Sequence, residues 1–407
     1  MLGERDCMTP PLAELGLFFP SMQSTPTTRE RIASIDALRG LVIILMALDH
    51  VRTFFGPLPF SPLDLTQTTP AWFLTRYVTH LCAPIFVFLA GVSAGLYGQQ
   101  VARAVLARFL ATRGMLLIFL ECTFVSLSWG ALFGGVVFLQ VIWALGVSMV
   151  VLAGLVHLPR SVVAGIALAL IAGHNALDTW HAADFPRLAW LWSLLHERGF
   201  HSLSLFKVYV SYPVLPWIGV MAAGYVAAPW LQRDTAMRQR GLLLAGGALL
   251  ILMLALRASN LYGDPQPWSA QGRGHVYSVF SFINFEKYPP SLLFLCVTLG
   301  LGAWTLAILS RIPQSRLRWL LVFGKVPMFF YLVHLPLIHI GAQIWAWERY
   351  GQLAGWGLSR AKPPADYVPD LALVYGMWAA YVIIMYAACR WYGGVKSRHP
   401  GGLLRYL

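Results

Sequence analysis

Arg39 and His50 lie in one apolar run, Ile35 to Gly56, with ten residues between them. On a helix they fall about 20° apart after full turns and about 16 Å apart along the axis, so they share a face at different depths. A guanidinium is a permanent cation that holds anions, and an imidazole exchanges protons near neutral pH. Asp36, Ile43 and Met46 lie near the same stripe, which would line a path from one membrane rim towards the far half of the bilayer. Asp36 also precedes Arg39 by three residues, the spacing of a simple ion pair, and Ser34 can cap the helix start.

A second run, Trp72 to Tyr97, sets Arg76, His80 and Pro84 at steps of four. His80 is expected at about the depth of His50, with Asp49, Arg52 and Arg76 at the same level, so that two imidazoles, a carboxylate and two guanidiniums converge. Each arginine alone also fits snorkelling to the interface. Further along, Gly91 and Gly95 form a GxxxG pattern that reads as a close helix contact. Glu121, in mid-run with no cation beside it, must face the bundle interior and be compensated by a cation of another helix or by protonation. His334, beside Tyr331 and Pro336, is a cavity candidate, whereas His339 lies about 140° round the helix and cannot share a metal with it.

His174, Asp178 and His181 keep a spacing that could chelate a metal. No fourth ligand is evident, and hydrogen bonding at a helix end explains the same residues, so no metal is expected. His196 and the stiff aromatic stretch Tyr212-Pro213-Val214-Leu215-Pro216-Trp217 follow. Aromatic residues beside polar ones suit a sugar-like acceptor, although interfacial anchoring predicts the same aromatics.

The elements that position these residues must be membrane spans. Of 407 residues, 58% are apolar and 12% charged, which excludes an ordinary soluble enzyme. Mean hydropathy is +0.63. Ten runs can span: Ile35 to Gly56, Trp72 to Tyr97, Phe109 to Trp129, Gly135 to His157, Val162 to Asp178, Tyr212 to Leu231, Gly241 to Asn260, Pro290 to Leu309, Trp319 to Trp345 and Leu371 to Trp391. The expected fold is all-α, a polytopic membrane bundle of about ten helices.

The net charge of +13 is scattered at loop junctions instead of forming a nucleic-acid patch, and no nucleic acid partner is expected. Arg103, Arg108 and Arg113, then Arg160, then Arg233, Arg238 and Arg240, then Arg311, Arg316 and Arg318, then Lys396, Arg398 and Arg405 mark alternate junctions as cytoplasmic, with both termini inside. Residues 1–33 read as a cytoplasmic arm, 34–395 as the membrane domain and 396–407 as a short basic tail. The five cysteines form no CxxC pair and indicate neither a disulfide framework nor a zinc site.

The stretch Ile35-Asp36-Ala37-Leu38-Arg39-Gly40-Leu41, continued to His50, resembles the first-helix motif of the transmembrane acyltransferase superfamily. Arg31 to Ala94, including Thr79-His80-Leu81-Cys82-Ala83-Pro84-Ile85-Phe86-Val87-Phe88-Leu89-Ala90-Gly91, is similar to bacterial relatives of heparan-alpha-glucosaminide N-acetyltransferase. So are His174 to Asp178, Leu215-Pro216-Trp217-Ile218-Gly219, Asn284 to Ser291 and Phe323-Gly324-Lys325-Val326-Pro327. The resemblance implies a multi-pass enzyme of the bacterial inner membrane that takes an acyl group, usually acetyl from cytoplasmic acetyl-CoA, and delivers it to a glycan or amino-sugar acceptor at the outer face. One departure stands out: the lysosomal enzyme's catalytic histidine belongs to the loop after the first span, and Gly56 to Ala71 contains no histidine here. The role then passes to His50 or His80, or the chemistry differs.

Acyl transfer requires a base, donors for the developing oxyanion and positive charge for the CoA phosphates. His50 is the base candidate, oriented by Asp49 or Glu121. His80 is a second base or an oxyanion donor. Arg39, with Asp36, is the donor-binding candidate. Arg76, His174, Asp178, His196, Trp217 and His334 are the acceptor-side candidates. The rival reading is a transporter or flippase of a small anion or glycan precursor, since buried charges and broken spans also serve translocation. A third is a non-catalytic partner in envelope assembly. Self-association into a homo-oligomer is left open.

Overall fold

A computed structural model describes residues 32–202, 205–353, 364 and 366–398 of the protein. The expected arm at 1–33 and tail at 396–407 therefore lie mostly outside the described residues. The helices are α1 (Ala33–Phe55), α2 (Pro70–Val78), α3 (Cys82–Tyr97), α4 (Arg103–Leu120), α5 (Ser126–Ser128), α6 (Val141–Leu155), α7 (Arg160–Gly173) and α8 (Ala189–Leu195). They continue as α9 (Leu215–Leu231), α10 (Thr235–Ser259), α11 (His275–Ile283), α12 (Leu292–Leu309), α13 (Gln314–Gly324), α14 (Pro327–Tyr350) and α15 (Leu371–Arg398).

Seven helical stretches among the described residues are long and apolar enough to cross a membrane: 70–97, 103–128, 160–177, 235–259, 292–309, 327–350 and 371–398. Three of the ten expected runs fall outside that set for identifiable reasons. α1 carries Asp36, Arg39, Asp49 and Arg52 inside it. α6 and α9 have 15 and 17 residues, shorter than the roughly 20 that a full crossing takes.

Local chemistry sets the helix ends. Pro70 and Pro327 open α2 and α14 at positions whose N–H has no intrahelical acceptor. Ser291 Oγ accepts the Phe294 N–H at 3.1 Å at the start of α12, and the Asp234 carboxylate accepts the Met237 N–H at 2.9 Å at the start of α10. The expected span Trp319 to Trp345 is two helices, because Pro327 cannot continue the hydrogen bonding of α13. The expected span Gly135 to His157 begins as a strand instead. Gly130 and Gly135 take φ of +75° and +65°, the left-handed region open to glycine, and reverse the chain there.

The bundle is thus not purely helical. β1 (Val136–Leu139) pairs in parallel with β3 (Lys207–Val210), which pairs antiparallel with β2 (Gly199–Ser202). This small sheet caps the bundle where α4 meets α6.

α1 is the central helix and packs on α3, α12, α13, α14 and α15. A Cβ added at Gly40 would lie 2.1 Å from the Leu320 carbonyl oxygen, and one at Gly324 would lie 1.8 Å from that of Asp36. α1 and α13 therefore touch backbone to backbone. The same holds for α3 and α9, where a Cβ at Gly91 would lie 2.0 Å from the Met221 oxygen, in keeping with the GxxxG reading. Trp378 Nε1–H donates to the Ile44 carbonyl at 2.9 Å and ties α15 to the middle of α1. The outward faces of α7, α10 and α15 present apolar side chains such as Leu168, Ile251 and Ile383, as lipid contact requires.

Candidate active site

His50 lies near the end of α1 and meets His334 of α14. Its Nδ1 is 2.9 Å from His334 Nε2, and the rings stack at 5.0 Å between centroids. His334 is fully buried, and its Nδ1 stands 2.8 Å from the carbonyl oxygens of both Phe330 and Tyr331. Carbonyls only accept, so His334 carries its proton on Nδ1 and presents a lone pair on Nε2. His50 must then donate from Nδ1, which leaves its Nε2 lone pair outward. No protein group among the described residues hydrogen-bonds that nitrogen. Trp129, edge-on to His50 at 5.2 Å, walls the site, and its indole Nε1 is buried without a partner.

The expected orienting groups do not reach His50. The Asp49 carboxylate is taken by Arg76 Nη1, 2.6 Å from each oxygen, by Arg52 Nη2 at 3.0 Å and by the Thr79 hydroxyl at 3.2 Å. The expected convergence of Asp49, Arg52 and Arg76 is thus present, but as a closed ion cluster. His80 lies on a tight turn, Thr79–Leu81, between α2 and α3, where Pro84 leaves no N–H for the His80 carbonyl. Its ring contacts Tyr77 and Phe294, and its buried Nε2 has no partner.

Glu121 is fully buried at the start of a π-helical turn, Glu121–Val125. One carboxylate oxygen accepts the N–H groups of Ile142 and Trp143 at 3.2 and 3.1 Å. Its compensation is the amino end of α6, with its unpaired N–H groups and positive dipole end. Of the two expected alternatives, a cation on another helix is replaced by this helix end, while protonation stands, since the second carboxyl oxygen is buried without a partner and is where the proton would sit. Sequence spacing could not show that a glutamate and a helix start some 20 residues later would meet.

At the other end of α1, Arg39 Nη1 pairs with Asp36 at 2.7 Å, and its Nη2 donates to the Leu89 carbonyl at 3.2 Å and to the Ser93 hydroxyl. Arg113 of α4, which the sequence reading used only for topology, lies within electrostatic reach of Arg39, and its Nε is buried without a partner. The two guanidiniums give this end of α1 a positive field, of which Asp36 neutralises one charge.

The remaining acceptor-side candidates hold the frame. α7 gives way to a tighter turn at His174, so His174, Asp178 and His181 lose the common helical face. His174 Nε2 lies 2.9 Å from the Pro290 carbonyl oxygen, Asp178 pairs with the buried His196 at 3.0 Å, and His181 lies 3.7 Å from Glu197. No group of three His, Cys, Asp or Glu able to hold a metal occurs among the described residues. Trp217 is fully buried beside Tyr212.

The turn from Glu286 to Ser291 brings in two residues that no spacing rule flagged as site residues, Lys287 and Tyr288. The Glu286 carboxylate accepts the N–H groups of Lys287 and Tyr288 at 3.1 and 2.9 Å, and Asp264 accepts from Glu286 N–H and the Ser291 hydroxyl at 2.9 and 2.7 Å. So braced, Tyr288 places its hydroxyl 3.4 Å from Arg76 Nη2. Burial pushes the Tyr288 phenol up, but the charges of Lys287 and Arg76 outweigh it and hold the phenol below its usual range.

An apolar helical bundle enclosing a histidine pair, an ion cluster and a paired-arginine end defines a multi-pass membrane protein with an internal polar site. Its sequence matches the family described as heparan-alpha-glucosaminide N-acetyltransferase, catalytic, over residues 31–269 of the 407. The chain belongs to that family, which implies a transmembrane acetyltransferase. The matched segment holds Arg39, His50, His80 and Glu121, whereas Lys287 and His334 lie beyond it. A comparison with the curated proteins gives no match.

Proposed function

We propose that the protein transfers an acetyl group from cytoplasmic acetyl-CoA, or from another acyl-CoA, to the amine or hydroxyl of a glycan or amino-sugar at the outer face of a bacterial inner membrane. The proposal includes ten crossings over one domain, residues 34–395, with both termini cytoplasmic, as the alternating basic junctions require. The observation that carries it is the fixed tautomer of His50, which gives a buried site one imidazole nitrogen free to take a proton.

Arg39 and Arg113 fit the phosphate end of the donor by charge and by the buried unpaired Arg113 Nε. Bound there, acyl-CoA supplies the acyl group as a thioester. His50 Nε2 takes the proton of the acceptor as its nitrogen or oxygen bonds to the acyl carbon. His50 then returns that proton to the departing sulfur, so the carbon–sulfur bond breaks to a thiol and His50 ends neutral. His334 holds the Nδ1 proton of His50 throughout. The Trp129 indole, edge-on to His50 with its N–H buried and unpaired, is the candidate donor for the developing oxyanion.

The test is acyl-CoA affinity and single-turnover transfer on detergent-purified variants of matched melting temperature. Arg39→Ala should mainly weaken donor binding, whereas His50→Ala should leave it nearly intact and slow transfer by roughly 100- to 10,000-fold. Acyl-CoA-independent uptake of a solute by proteoliposomes, with no transfer, would replace this reading by the transporter.

A further inference from the structure

His339 follows His334 by five residues on α14, about 140° round a regular helix, and Pro336 stands between them with no N–H to give. Both imidazoles nevertheless meet α1. His50 stacks on His334 with 15° between the planes, and one turn further Phe54 stacks on His339 at 4.8 Å and 24°. Trp129 touches both rungs, edge-on to His50 at 5.2 Å and stacked on Phe54 at 5.3 Å. Its backbone sits at the end of α5, where Gly130 at φ +75° turns the chain away and leaves the Ser128 carbonyl without a helical N–H. His339 supplies that donor, with Nδ1 2.7 Å from the Ser128 oxygen. The opposite nitrogen, Nε2, lies 2.8 Å from the Gln343 side-chain nitrogen, which donates to it and so keeps the His339 proton on Nδ1. A Cβ added at Gly130 would come within 3.1 Å of the His339 ring, so the imidazole fits closely over the turn. The indole Nε1 that these contacts hold beside His50 is buried without a partner.

We infer that His339 is a positioning residue for acyl transfer: by holding the Ser128 carbonyl it fixes the Trp129 indole N–H where the oxyanion develops beside His50. The inference rests on the transferase reading, with Trp129 as its oxyanion donor. Loss of one such donor costs roughly 100- to 1,000-fold in rate, so Trp129→Phe should slow transfer by that order. The assay is single-turnover release of CoA thiol by the detergent-purified full chain. His339→Phe keeps the ring that stacks on Phe54 but donates nothing, and should slow transfer about tenfold or more while acetyl-CoA affinity stays unchanged. His339→Asn places an amide N–H near the position of Nδ1 and should restore the rate to within about threefold. In a Trp129→Phe background, His339→Phe should cost less than about twofold more, because its target is gone.

A second readout needs no turnover. With 5-fluorotryptophan incorporated, the fluorine resonance that Trp129→Phe lacks reports the surroundings of that indole. It should shift or broaden in His339→Phe and stay in place in His339→Asn. If His339→Phe does not fold, the smaller His339→Leu removes the same donor and is held to the same two readouts. A wild-type rate in either Phe variant, an unmoved resonance in His339→Phe, an undiminished further loss in the Trp129→Phe background, or transfer that falls only in step with melting temperature would overturn the positioning role. A resonance that moves as expected in a protein without transfer activity would sink the transferase reading and leave the hold of His339 on Trp129 standing.

Discussion

Replacing His334 by Phe removes the one acceptor of the His50 Nδ1 proton and changes little else in volume. The bond is 2.9 Å long and His334 is fully buried, so no water takes its place. An unmet buried donor costs about 1 to 3 kcal/mol, and if that loss falls on the transition state it slows transfer by about 5- to 150-fold. The effect should be smaller than loss of the base itself. His334→Gln offers a carbonyl oxygen to the same proton and should recover most of the rate. Donor affinity should stay unchanged in both, because Arg39 lies about 16 Å away along α1. The assay is single-turnover release of CoA thiol from acetyl-CoA, with kcat and KM separated and melting temperatures matched. A His334→Phe protein with the wild-type rate, or Phe and Gln variants that lose rate only in step with stability, would refute the relay.

Glu121→Gln should lower the melting temperature modestly, about 1 to 2 kcal/mol of stability, since an amide oxygen still accepts from Ile142 and Trp143. Glu121→Lys should fail to accumulate in folded form, because it sets a cation against the amino end of α6, and equal melting of the two variants would count against that buried pairing. Gly324→Ala must push α1 from α13, because its Cβ meets the Asp36 carbonyl, and should cost about 1 to 3 kcal/mol together with donor affinity at Arg39. Unchanged melting and unchanged CoA binding would show that the contact yields freely.

How much of this could be read from the sequence depends on how local each interaction is. Asp36 and Arg39 are three residues apart and pair as spacing suggests, and Asp49, Arg52 and Arg76 meet because two adjacent runs antiparallel to each other bring equal depths together. The partner of His50 lies 284 residues on, and no helical period links the two. Lys287 directly follows Glu286, but the Glu286 carboxylate is spent on the backbone N–H groups of Lys287 and Tyr288, which only the folded turn reveals. Hydropathy stays high across Gly324-Lys325-Val326-Pro327 and hides a break there, although a glycine and a proline so close are a turn signal. The strands were hidden because four apolar residues after a glycine look like the start of a span.

The contact of α1 with α13 through bare backbone has a consequence for how material would cross. A carrier that works by rocking one half against the other needs a seam that slides, and two carbonyls each lodged against a glycine leave no room for sliding. α1 behaves as a fixed post bearing Arg39 at one station and His50 at another. Traffic past it then falls to flexible arms, such as the pantetheine of an acyl-CoA, with the helices as stationary walls. A covalent staple between α1 and α13 should therefore spare a transferase and arrest a rocking carrier.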